Sequence, residues 1–98
     1  MKPLFIPLNT EFYEAFQRGE KDAELRLYGP RWNERTCPVG RPVILSKGYG
    51  RQNRMQARIL GFHRRNAGTF GSTSRASIER LYGSLDVEIA EIRLEILR

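Results

Sequence analysis

The feature that most restricts this chain is alternation. From Ala23 to Tyr28 the residues Ala23, Leu25 and Leu27 fall on one side of an extended backbone, and Glu24, Arg26 and Tyr28 on the other. From Arg54 to Phe62, Met55, Ala57 and Ile59 oppose Gln56 and Arg58 in the same way. A period of two belongs to strands, so both segments predict strands, the first of them half-buried with a polar face. Pro42-Val43-Ile44-Leu45 is continuously apolar and predicts a buried strand through Ser46. Leu4 to Leu8 predicts another, with Pro3 and Pro7 suited to a strand start or a sheet edge.

Two stretches predict helices instead. Asn9 or Thr10 caps the first, Glu11 and Glu14 sit near its positive end, and Leu8, Phe12, Ala15 and Phe16 form one face before Gly19 stops it. Thr73 or Ser74 caps a second, short helix through Leu81-Tyr82 that Gly83 closes. Arg31 to Gly40 predicts a loop carrying Trp32 and Cys37, and Asn66 to Thr73 predicts another. Near the C-terminus, Leu85, Ile89, Ile92 and Ile96 follow a helical spacing, whereas Ile92, Leu94 and Ile96 alternate. A strand there would need a bulge near Ala90-Glu91 to absorb the change of phase.

The chain has 98 residues, room for one domain spanning 1–98. It is 40% hydrophobic and 29% charged, as globular domains are. Cys37 and His63 are its only cysteine and histidine, which leaves no intramolecular disulfide and no zinc-binding cluster. No metal and no cofactor is expected. No apolar run could cross a membrane and the first residues do not resemble a signal peptide, so a cytoplasmic location is expected.

The formal net charge of +6 is placed unevenly. Between Arg35 and Ser77 there is no Asp or Glu, yet there are nine basic residues: Arg35, Arg41, Lys47, Arg51, Arg54, Arg58, Arg64, Arg65 and Arg75. The remainder holds eight basic and eleven acidic residues. Such a block attracts polyanions, although a solvated surface that only aids solubility has the same composition.

Gly19-Glu20-Lys21-Asp22-Ala23-Glu24-Leu25-Arg26 fits the pattern G-x-K-x-x-E-x-R. Gly19 permits a tight turn after the helix, and Glu24 and Arg26, two apart on a strand, share a face with Lys21 just ahead. A carboxylate between two cations orients both, or the three simply form a salt-bridge network that ties the strand end to the helix. The pattern, in its place between first helix and second strand, resembles the signature of the ASCH family, small relatives of the PUA domain, and the resemblance covers nearly the whole chain. It implies an α+β fold: a PUA-like twisted β-barrel of five or six strands, two short flanking helices, and a cleft holding Lys21, Glu24 and Arg26. It also implies RNA binding. One bacterial branch hydrolyses N4-acetylcytidine, using the motif lysine, a threonine three residues later and a glutamate just ahead of the second helix. Here Glu24 stands in the threonine position and Gly61 to Ser77 contains no acid, so that activity does not carry over.

Other residues are candidates for contact with a ligand. Lys47-Gly48-Tyr49-Gly50-Arg51 joins two cations, an aromatic ring and two glycines, suited to phosphates and a stacked base, or simply to a hairpin turn. Arg64 and Arg65, beside His63, follow a strand and either face phosphates at its edge or mark an ordinary exposed strand end. Tyr28 shares the face of Glu24 and Arg26. Trp32, with Arg31 and Arg35, is either core or a stacking shelf. Ser72, Thr73 and Ser74 suit helix capping better than ligand contact. Cys37 is read as packing. Three functions stay open: binding of RNA or a nucleotide-like ligand, hydrolysis of a modified nucleoside or RNA with Lys21 as base or nucleophile and Glu24 orienting it, and docking of an acidic protein.

Overall fold

A computed structural model describes residues 1–98. The elements run β1 (Leu4–Leu8), α1 (Thr10–Gln17), β2 (Ala23–Leu27), β3 (Pro42–Lys47), β4 (Arg54–Asn66), a 3-10 turn (Ala67–Thr69), α2 (Ser72–Tyr82) and β5 (Glu88–Ile96). One five-stranded sheet has the order β1-β3-β4-β5-β2. Only β1 and β3 are parallel; β3–β4, β4–β5 and β5–β2 are antiparallel. The fold is α+β, a twisted sheet curled into a partial barrel with two helices. Pro7 lacks an N–H and lies on β1, an edge strand where that loss is tolerated.

The concave face holds the main core. Leu4, Ile6 and Leu8, Val43 and Leu45, Ala57 and Ile59, and Ala90, Ile92 and Leu94 point inward, and Tyr13 and Phe16 of α1 fill the space between them. Asn9 is the cap of α1, its side chain accepting from the Phe12 amide at 2.7 Å. The buried face of α1 is thus Tyr13 and Phe16, with Phe12 partly covered, rather than a stripe that includes Ala15. Trp32 and Cys37 belong to this core, so Trp32 is not a rim shelf. Each fully buried side chain of this size contributes roughly 1.5–3 kcal/mol. The main cluster holds fourteen buried residues and carries most of that energy.

A second cluster of four, Ala67, Phe70, Ile78 and Ile89, lies where α2 packs on the opposite face of the sheet. It resolves the ambiguous C-terminus. Ala90, Ile92 and Leu94 face the main core, while Ile89 faces α2, joined by Leu25, Leu85 and Val87. β5 is apolar on both faces at this end, which mimics a helical spacing with no change of phase. No bulge is needed near Ala90-Glu91, and none is there. The register shift lies instead in β4, between Ile59 and Gly61, where Leu60 is the extra residue. It lets Ile59 and Phe62, three apart, both face inward opposite Leu94 and Ile92. β4 also runs on to Asn66, four residues beyond the predicted end.

The cap of α2 differs from expectation. Gly71 occupies that position without a side-chain bond, and the helix begins at Ser72. Gly83 does end α2, in the left-handed region at φ 75°.

Candidate functional site

β1 and β2 are the two free edges of the curled sheet, and no backbone ladder joins them. A side chain does. Arg26 donates from Nη2 to the Pro7 carbonyl at 2.6 Å, bridging β2 to β1. At this open seam lies a cleft of about 420 Å³. That is inside the range of roughly 300–1,000 Å³ common for small-ligand sites. Its walls come from the end of β1, from α1, from the motif strand and from one face of α2.

The motif residues line this cleft: Lys21, Glu24, Leu25 and Arg26 all contribute to it. The register explains why. Glu24 pairs with Ile92 and Arg26 with Ala90, both inward-facing, so the polar side of β2 points into the barrel. Leu25 packs toward α2 and Leu27 is exposed. The inward side of this strand is therefore the charged one, the reverse of an ordinary half-buried strand.

Glu24 is only 5% exposed. An ionised carboxylate tolerates such burial only when paired and hydrogen-bonded. One of its oxygens lies 3.6 Å from the Lys21 ammonium, and the other accepts from Arg26 Nε at 2.9 Å. The Lys21 ammonium also sits 5.0 and 5.3 Å from the ring centres of Phe12 and Phe16. The Arg26 guanidinium lies 5.0 Å over Trp32. Both cations are held by aromatic faces and a shared carboxylate, so their orientation is fixed before any ligand arrives. Each keeps about a fifth of its side chain exposed, enough to present charge to the cleft.

The far wall comes from α2. Thr73, Ser74, Ser77, Ile78, Leu81 and Tyr82 line the cleft. The first turn of α2 has no side-chain cap and no acidic residue. Its leading amides thus stay unpaired by side chains beside Thr73 and Ser74, at the positive end of the helix dipole. Glu24 is the one acid lining the cleft, whereas Glu20, Asp22 and Glu91 line a shallower hollow of about 230 Å³ on the other side of Lys21. The cleft is positive where it is polar, and apolar along Pro7, Phe12, Leu81 and Tyr82. No group of three or more His, Cys, Asp or Glu side chains comes together anywhere in the chain.

The remaining predicted contacts lie elsewhere. Lys47 pairs with Glu14 at 3.3 Å and lies 5.5 Å from the Tyr13 ring centre. Tyr49 and Arg51 are exposed on the β3–β4 turn and do not line the cleft. Arg64 pairs with Glu88 at 3.3 Å, and Arg65 with Glu91 at 3.1 Å. Tyr28 packs against the main core, and its hydroxyl is bound to Glu34 in the following loop. The Glu34 hydrogen bond raises the Tyr28 phenol above its usual range, and the same bond holds Glu34 below the usual carboxylate range. Arg64 stacks 4.2 Å over the Tyr28 ring.

Sequence reasoning missed the α2 wall. Ser74, Ile78 and Leu81 recur at i, i+4 and i+7, a helical face only partly apolar. That mixed face was the available signal. It also set Thr73 and Ser74 down as caps, and with Gly71 in that place both are free to face the cleft.

No helix is long and apolar enough to cross a membrane. The sequence matches no protein-family model and no curated protein. Among solved structures the chain is similar to a crystal structure of hypothetical protein PH0355, with a TM-score of 0.73, covering 98% of this chain and 100% of the other. The two are 16% identical, so what this likeness establishes is the α+β fold with its curled five-stranded sheet.

Proposed function

We propose that this chain binds RNA or a nucleotide-like ligand, taking one nucleotide unit into the cleft at the β1–β2 seam. One observation carries the reading: Lys21 and Arg26 flank a buried Glu24 in a cleft that is also lined by α2, from Thr73 and Ser74 in its uncapped first turn to Tyr82. Two cations and a helix N-terminus suit a phosphate. Phe12, Leu81 and Tyr82 suit the face of a base. The resemblance of residues 19–26 to the ASCH signature points the same way.

Calorimetric titration with nucleosides, nucleoside monophosphates and short single-stranded RNA tests this. At least one phosphorylated ligand should bind, with affinity falling as salt rises. Lys21→Ala and Arg26→Ala should each weaken it by about tenfold or more, the loss expected for a charge-assisted bond of roughly 1.5–3 kcal/mol. If no member binds the wild-type protein at low salt, the reading fails.

The hydrolase reading rests on Lys21 alone, set beside Thr73 and Ser74 in the same cleft. Both oxygens of Glu24 are held by cations, which suits a positioning role rather than proton transfer. Product formation from acylated cytidine, lost in Lys21→Ala, would favour it over binding alone.

A further inference from the structure

The β3–β4 turn gathers a second group of cationic and aromatic side chains outside the cleft. Leu4, Ile6 and Leu8 turn inward, so Phe5 faces outward from β1. Its ring centre lies 6.2 Å from that of Tyr49, and the Arg54 guanidinium lies 5.2 Å over it. Arg54 is steadied by its Nε donating to the Gly50 carbonyl at 3.3 Å. Tyr49 is 79% exposed, an unusual place for a ring that contributes nothing to a core.

Glutamates neutralise only part of the basic block, and two arginines at this turn are among those left over. Lys47, Arg58, Arg64 and Arg65 each pair with a glutamate. Arg51 and Arg54 have no carboxylate within ion-pair distance. Two free cations beside two adjoining rings match the chemistry of single-stranded nucleic acid, whose bases stack and whose phosphates need neutralising.

The turn is also continuous with the cleft. The Gly48 amide donates to the Leu8 carbonyl at 2.9 Å, and Leu8 lines the cleft. Phe5 and Pro7 are two residues apart on β1, about 7 Å. That is about two stacked nucleotide steps of 3.4 Å each.

We propose that Phe5, Tyr49 and Arg54 form a stacking platform for single-stranded nucleic acid, with Arg51 and Arg54 facing its phosphates. The ligand is then a strand that places one nucleotide in the cleft and lays its neighbours across β1. This rests on the cleft reading and extends it from a nucleotide to a strand.

The test compares a fluorescein-labelled octanucleotide RNA of mixed sequence with the four nucleoside monophosphates. Each is titrated into wild type, Tyr49→Ala, Phe5→Ala and Lys21→Ala, with polyglutamate as competitor. Tyr49→Ala should weaken the octanucleotide by roughly five- to 150-fold, the range for losing one base–aromatic stack, and leave monophosphate binding unchanged. Lys21→Ala should weaken both. Tyr49 is exposed and its removal leaves the core intact; circular dichroism checks this. If both ring variants bind the octanucleotide as wild type does while Lys21→Ala fails, the platform is overturned and the cleft stands. If the octanucleotide needs Tyr49 but no monophosphate binds and Lys21→Ala is neutral, the platform stands and the cleft reading falls. Polyglutamate displacing RNA equally from wild type and Tyr49→Ala would make the face a site for acidic proteins and overturn the platform.

Discussion

Two regions of this protein set arginines against glutamates, and they do so in opposite ways. On β4 and β5 the pairs Arg58–Glu95, Arg64–Glu88 and Arg65–Glu91 stand on strand surfaces, most of them about half exposed. At the motif, a single carboxylate, Glu24, is buried between Lys21 and Arg26. The surface pairs are one cation to one acid, and their charge cancels. The motif is two cations to one acid, and it leaves a net positive charge aimed into a cleft. The same residue types serve neutralisation in one place and presentation in the other, and burial with stoichiometry decides which.

The largest effect expected from this contrast is at Glu24. Glu24→Gln keeps the shape and removes the only counter-charge of two partly buried cations. Removing one partner of a buried pair typically costs about 3–5 kcal/mol. The lower end, about 3 kcal/mol by urea denaturation, is expected because Lys21 and Arg26 each keep about a fifth of the side chain exposed. Adding Lys21→Met should restore about 1 kcal/mol by removing the surplus cation. A loss in Glu24→Gln no larger than in a surface variant would erase the difference between the regions.

The surface pairs should respond weakly. A double-mutant cycle on Arg58 and Glu95 should give a coupling of about 0.2–1 kcal/mol, shrinking as salt is raised. Their side chains are 53% and 41% exposed, which is why screening wins there. A coupling above about 2 kcal/mol would place this pair in the class of the motif.

The comparison also explains what was legible in the sequence. The motif could be read because its residues are local: a turn glycine, then three charges within six positions, on a strand whose alternation was plain. The strands could be read from the same alternation. Which side of β2 faces inward could not, because Leu25 is claimed by α2, fifty residues further on. The acid-free block from Arg35 to Ser77 looked like one positive surface. Strand pairing with β5 brought Glu88, Glu91 and Glu95 against its arginines, and much of that charge vanished. The bulge was misplaced for a related reason. Two covered faces on β5 imitate a phase change there, while the signal in β4, apolar residues three apart around Gly61, is confined to a single site.

The smallest expected effect joins the two regions. Tyr28 lies one position beyond the motif strand, and Arg64 of β4 stacks over its ring. The Glu34 bond raises the phenol and depresses the Glu34 carboxyl, while the nearby Arg64 charge opposes the rise. A carboxyl depressed in the folded state adds stability above its unfolded pKa, lost as pH falls through the folded one. A phenol raised in the folded state adds stability below its unfolded pKa, lost as pH rises through the folded one. The bond therefore holds across neutral pH and weakens at both ends, below the ordinary carboxylate range and above the ordinary phenol range. In an ultraviolet titration Tyr28 should ionise above the ordinary phenol range. Glu34→Gln should bring it back toward that range, and Arg64→Ala should push it higher still. If Arg64→Ala left the Tyr28 midpoint unchanged, pairing with Glu88 would cancel the Arg64 charge at that ring. Ligand binding at the cleft should be unchanged in Arg64→Ala, since Arg64 does not line it. A loss of binding would show that the two regions act as one site.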